Sequence, residues 1–340
     1  MPEIKGDKSM LVVEGLLTDQ PVTNRIRLYN TVPLKDKIQF IPVKGATVNI
    51  KDDLANNWML TEQTDGVYCT DSLTFRGIPG RQYELIIRTF EDTYMSPPVE
   101  MKPVPPIDSV YYEKVLLKHD FFGNSIEGCN IYLDTHDPSN ETRYFRWDYT
   151  ETWEMKFPWE NVDVVENGHC WITDISRKIL IKSTSLLAES NVSEFLLHDI
   201  GTEHDNRLML RYSILVNQYS ISEEEYYYWD KLKRVYEDAG SLYDLIPVNI
   251  TGNIKSSSDP EKLVFGNFSV SAVTSSRIYI DEYFKGPNFY WDCIDQFVTG
   301  PGPGTWQVEF MGYRLYTTHI ECIDCTYWGT TERPDFWTDH

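Results

Sequence analysis

Thr23-Asn24-Arg25-Ile26-Arg27-Leu28-Tyr29 sets arginine against aliphatic residues at alternate positions. A period of two fits a strand with one buried face and does not fit a helix. The same alternation runs outward from it in both directions. Ser9-Met10-Leu11-Val12-Val13-Glu14-Gly15 starts one strand before it. After it come Gly45-Ala46-Thr47-Val48-Asn49-Ile50, Trp58-Met59-Leu60, Val67-Tyr68 and Gln82-Tyr83-Glu84-Leu85-Ile86-Ile87-Arg88. Turn-forming Lys51-Asp52-Asp53 and Thr64-Asp65-Gly66 separate them. Short alternating strands with frequent turns predict a small β-sandwich over residues 1–103.

Ser96-Pro97-Pro98 through Lys102-Pro103-Val104-Pro105-Pro106 holds five prolines. Proline fixes φ and disfavours regular pairing, so this stretch is expected to be extended, stiff and a domain boundary. Residues 104–340 resume the β pattern. The expected strands are Gly128–Asp134, the aromatic run Thr142–Trp153, Lys178–Lys182, Leu208–Val216 and Arg277–Ile280. One helix is expected at about 222–239. Ser222 stands as its N-cap, Glu225 is placed to reach back, and Glu223 and Glu224 suit the positive end of the helix dipole. Tyr228, Trp229, Leu232, Val235, Tyr236 and Ala239 share a face, and Gly240 ends the run. The predicted fold is mainly β: an immunoglobulin- or transthyretin-like sandwich, then a larger sandwich carrying one packed helix.

The net charge of -21 argues against nucleic acid and against anionic membrane, both of which demand clustered Lys and Arg. No apolar run approaches the roughly 20 residues of a membrane-spanning helix. Met1-Pro2-Glu3-Ile4-Lys5 has neither the basic start nor the apolar middle of an export signal.

Compartment therefore turns on the six cysteines, Cys69, Cys129, Cys170, Cys293, Cys322 and Cys325. Cys322-Ile-Asp-Cys325 has the spacing of half a zinc site, with His319 nearby and Cys293 or Cys170 able to complete it. It also has the spacing of a redox dithiol, although that chemistry wants an α/β setting. The third reading is a disulfide framework tying the C-terminal tail to the body, for example through Cys293, which implies an oxidising compartment. No metal or cofactor is expected.

Asp134, Asp137, Asn140 and Glu141 form an oxygen-rich loop without the glycine and distal glutamate of a calcium loop, and read as a self-capping turn. Gly300-Pro301-Gly302-Pro303-Gly304 lacks the amide donors of a phosphate cradle. None of the common catalytic signatures is present, so no catalytic residue is assigned. Aromatic runs suit sandwich cores. Trp159, Tyr227 and Trp291 are the exceptions, because neither strand alternation nor a helix face buries them, and they are the candidate ligand-binding residues.

Gly45-Ala46-Thr47-Val48, Asp65-Gly66-Val67-Tyr68 and Gly80-Arg81-Gln82-Tyr83 resemble the strand and turn markers of carboxypeptidase regulatory-like, transthyretin-like domains. Over nearly the whole chain, Met10–Leu16, Val104–Ser109, Tyr132–Pro138, Tyr144–Trp147, Cys170-Trp171, Gln218–Glu224, Gly252-Asn253-Ile254, Cys322–Cys325 and Pro334–Trp337 are similar to domain-of-unknown-function family 4249 of Bacteroidota. That resemblance implies a lipid-anchored lipoprotein of the cell envelope, at the outer membrane beside a TonB-dependent receptor, serving nutrient uptake as a non-enzymatic binding or docking subunit. It also implies that Cys170, Cys293, Cys322 and Cys325 make two bridges. The lipid-bearing cysteine is expected just before Pro2-Glu3-Ile4, where this sequence has Met1, and membrane contact is expected only through that anchor. A stand-alone glycan-binding module, resting on the aromatic runs, and a glycoside-active enzyme, resting on a pair of carboxylates, are the alternatives.

Overall fold

Ile26 and Leu28 are buried while Arg25 and Arg27 are exposed, so the alternation read from this stretch is the alternation the chain adopts. The computed structural model describes residues 10–31, 40–161, 168–238, 250–286 and 293–337. Its chain begins with β1 (Leu11–Thr18), β2 (Arg25–Asn30), β3 (Ile41–Pro42), β4 (Thr47–Asp52), β5 (Asn57–Met59) and β6 (Thr61–Thr64). There follow β7 (Val67–Cys69), β8 (Gln82–Arg88), β9 (Thr93–Met95), β10 (Val99–Glu100), β11 (Ile107–His119) and β12 (Ser125–Asp137). Next are β13 (Tyr144–Lys156), β14 (Glu160–Asn161), β15 (His169–Ile175), β16 (Leu180–Ser183), β17 (Ser190–Gly201) and β18 (Tyr212–Ser220). Then come helix α1 (Glu223–Asp238), β19 (Lys255–Ser256), β20 (Phe265–Ser271), β21 (Val273–Ile280), β22 (Trp306–Phe310) and β23 (Tyr313–Thr317). The fold is mainly β, as expected.

Two sheets close the first sandwich: β20-β1-β2-β7-β6 with β3 on β2, and β19-β9-β8-β4-β5 with β10 on β8. Val13, Leu17, Ile26, Leu28, Ile50 and Leu85 meet between them in one apolar core. This sandwich is not built from residues 1–103 alone. β20 pairs with β1 in parallel, Val13 opposite Gly266, and β19 pairs with β9. Gly266 sits at φ +89°, and a Cβ there would lie 1.9 Å from the Val13 carbonyl oxygen. Only glycine permits so close a backbone approach in that conformation.

The proline segment is packed into both sandwiches. Val99–Glu100 pairs with β8, and Met101 is fully buried in the first core. On its other side, the Gln218 amide donates to the Pro105 carbonyl at 2.9 Å, and the Thr135 hydroxyl donates to the Pro106 carbonyl at 3.0 Å. The carbonyls that proline leaves without a ladder partner are thereby satisfied, so the stretch expected to be a domain boundary is a packed seam between the sandwiches.

The second sandwich sets sheet β11-β12-β17 against sheet β15-β13-β18-β21, with β16 added to β13. Ile131, Leu133, Phe145, Trp147, Ile214 and Val216 fill its core. Trp147 donates its indole N–H to Gln218 at 2.9 Å, so a large ring and a buried amide satisfy each other. The oxygen-rich loop is a self-capping turn: Asp137 accepts from the backbone N–H groups of Ser139, Glu141 and Thr142.

Helix α1 starts where its cap predicts, with the Ser222 hydroxyl accepting the Glu225 N–H at 3.1 Å. Glu225 departs from its expected role. Its carboxylate accepts from the Trp229 indole at 3.0 Å and the Ser269 hydroxyl of β20 at 2.6 Å, directed across the seam between sandwiches. Tyr226 and Trp229 pack against Tyr219, Ile221 and Val273, whereas Val235 is exposed. The Tyr236 side chain, Ala239 and Gly240 lie outside the described residues.

A third sheet, β14-β22-β23, and the C-terminal tail cover one end of the second sandwich. Two disulfides hold this cap, Cys170–Cys325 and Cys293–Cys322. The sulfurs of Cys322-Ile-Asp-Cys325 therefore go to different partners, and being bonded, neither is a zinc ligand or half of a redox dithiol. Cys69 and Cys129 are free and buried. Pro334-Asp335-Phe336-Trp337 lies along the outer face of the large sheet, where Trp337 is buried and the Arg277 guanidinium sits 3.6 Å from the Phe336 ring centroid.

Candidate functional site

Strand alternation builds a large cleft between the two sandwiches. On β1 and β2, the residues that do not enter the first core point outward, which puts Glu14, Leu16, Arg25 and Arg27 on one face. On β13 and β18 the same rule turns Arg146, Asp148, Asn217 and Tyr219 away from the second core. These two outer faces and α1 enclose a cleft of about 1020 Å³. Its floor includes Gly266 and Asn267 of β20, so the strand that returns to the first sandwich also shapes the cleft. A second cavity of about 570 Å³ adjoins it, sharing Tyr228 and Asn267.

Arg146 is the central charge. Its guanidinium carbon lies 4.4 Å from the Tyr219 ring centroid and 5.0 Å from that of Trp229. Two aromatic faces hold a flat cation in place at little cost in solvation. Its only ion-pair contact among the described residues is Asp148 at 3.8 Å, and its Nε is buried without a hydrogen-bond partner there. Arg27 lies 3.9 Å from Glu14, both side chains being about half exposed, and that spacing in water contributes little. Arg25 has no ion-pair partner among the described residues. The Tyr29 hydroxyl donates to Glu14, and burial, reinforced by that bond, raises the phenol well above its ordinary value. Burial also pushes the Tyr228 phenol up to about 12, so both phenols stay neutral donors.

The sequence-predicted ligand residues do not assemble here. Trp159 is not exposed but buried, packed on Phe157, Phe297 and Phe310 under the third sheet. The cap formed by β22 and β23 covers it, which strand alternation before Trp159 does not reveal. Tyr227 is exposed on α1, its ring against Tyr226 rather than in the cleft. Trp291 lies outside the described residues. The four cysteines assigned to bridges are all bridged. Sequence reading missed Arg25, Arg27 and Arg146. The available signal was a basic residue repeated on the polar face of a strand in an otherwise acidic chain, as in Arg25-Ile26-Arg27.

Fold and site define a mainly β protein of two seamed sandwiches with an arginine-bearing cleft between them. Residues 1–277 match the model of a family described as a domain of unknown function, DUF4249, and the chain belongs to that family. The match spans the first sandwich and α1 and ends within β21, ahead of Cys293, Cys322 and Cys325. A search of curated proteins finds no match.

Proposed function

We propose that this chain is a lipid-anchored outer-membrane lipoprotein of the Bacteroidota type, a non-enzymatic binding or docking subunit beside a TonB-dependent transporter in nutrient uptake. Family membership supports the reading, because the family resemblance implies that setting. The observation that carries the envelope address is the pair of bridges closing the C-terminal cap, since disulfides form and persist in oxidising compartments. The first sandwich is read as a transthyretin-like module, a kind common in exported proteins. The cleft carries recognition chemistry, namely guanidinium donors, amides and rings. The test is purification of the native protein from membranes under mild crosslinking. A TonB-dependent receptor is expected to accompany it, and recovery with no transporter attached would overturn the reading.

A further inference from the structure

We infer that the cleft between the sandwiches binds a small organic carboxylate with an apolar body, and that Arg146 is its anchor. The inference deepens the binding role proposed above and rests on the cleft being the site of that role.

Three observations converge. First, Arg146 is preorganised and under-used. Tyr219 and Trp229 sandwich it, its side chain is only 15% exposed, its Nε is buried without a partner, and Asp148 at 3.8 Å is too distant for a good hydrogen bond. Arg146 lines the cleft, and a planar oxyanion bound there can accept from its guanidinium fork. Second, the local charge is inverted. The whole chain carries -21, yet the described lining has Arg25, Arg27 and Arg146 against Glu14 and Asp148, three guanidiniums to two carboxylates. That excess matches one negative charge. A polyanion would meet the repulsion of the surrounding acidic surface, whereas a single carboxylate finds a neutralising partner. Third, much of the remaining lining is apolar or aromatic, with Val12, Leu16, Leu232, Phe265, Val273 and Tyr228 around the arginines. The volume of about 1020 Å³ lies at the upper end for small-molecule sites, which span roughly 300–1,000 Å³.

The test titrates the purified protein calorimetrically with three carboxylates, decanoate, naphthalene-2-carboxylate and N-acetyl-Leu-Phe, each beside its primary amide, and with inorganic phosphate. At least one carboxylate is expected to bind about tenfold or more tightly than its amide. Arg146→Lys keeps the charge but loses the fork, and is expected to remove most of that preference. Arg25→Gln/Arg27→Gln alters only exposed side chains, so it remains folded, and is expected to weaken the carboxylate alone. Binding of no carboxylate, equal binding of acid and amide, or tighter binding of phosphate would overturn the inference. Because the isolated protein is titrated, that failure is separate from a failure to find a transporter in the membrane.

Discussion

Glu151 shows how one residue holds the second sandwich together. Its buried carboxylate accepts from the Tyr212 hydroxyl at 2.7 Å, with His198 Nε2 at 3.2 Å and Arg207 Nη1 at 3.3 Å. Burial pushes this acid up, but the hydrogen bond with His198, the Arg207 charge and the Tyr212 hydroxyl outweigh it and hold the group below its ordinary value of 4.5. A carboxylate depressed in the folded state stabilises above its unfolded value and loses that contribution as pH falls through its folded one. Glu151→Gln is therefore expected to cost about 2–3 kcal/mol near neutrality. Calorimetric unfolding should show the gap between wild type and variant narrowing only below about pH 4.5, and a gap unchanged down to pH 3 would contradict the assignment. The two aromatic candidates behave oppositely. Trp159→Ala is expected to cost about 3–5 kcal/mol, and Tyr227→Ala within about 0.5 kcal/mol, in denaturant unfolding. A silent Trp159→Ala would show that the ring is not core. Arg146 was the residue hardest to read in sequence. Phe145-Arg146-Trp147 looks like any polar residue on a strand, and its meaning comes from Tyr219 and Trp229, which β18 and α1 bring to it.

Among elements, β20 does most to define the molecule, since it joins the first sheet from beyond α1 and floors the cleft. Asn253 fixes its approach, donating to the Phe268 carbonyl at 2.8 Å and accepting the Phe268 N–H at 2.9 Å. Gly266→Ala puts a methyl against the Val13 carbonyl in a left-handed conformation, so it is expected to destabilise by well over the roughly 1 kcal/mol of an ordinary glycine exchange. Hydrogen exchange should rise in β1 and β20 together, and a neutral substitution would contradict the parallel pairing. Local strands such as β2, β4 and β8 were legible because alternation is a property of the chain itself. The partnership of β1 with β20 was not, because no local pattern encodes which distant strand completes a sheet. β18 was expected at Leu208–Val216 and lies at Tyr212–Ser220, for a related reason. Asn217-Gln218 reads as a strand end, but Gln218 is buried, satisfied by Trp147, Pro105 and Thr135. The cap is the other decisive element. Replacing Cys170 and Cys325 with serine opens a loop with a sequence separation of 155, against 29 for Cys293–Cys322. Chain entropy puts the costs at about 5 and about 4 kcal/mol, so the first pair is expected to matter more. Limited proteolysis should then cut the tail beyond β23 first, and an equally protected tail would contradict its role as a staple.

At the scale of the whole molecule, the chain folds into two sandwiches seamed by the proline segment, by Glu225 and by residues 255–271, then closed at one end by two bridges. That arrangement explains why the acidic surface coexists with a cleft rich in arginine, because the cleft is made from the outer faces of two different sheets. It also ties the fold to the proposed oxidising compartment, since the C-terminal cap depends on oxidised cysteines. The most direct test is to trap thiols in intact cells, unfold the native protein without reductant, alkylate it and weigh it. Two adducts are expected, on Cys69 and Cys129, rising to six after reduction. Six adducts before reduction would contradict both the stapled cap and the envelope address.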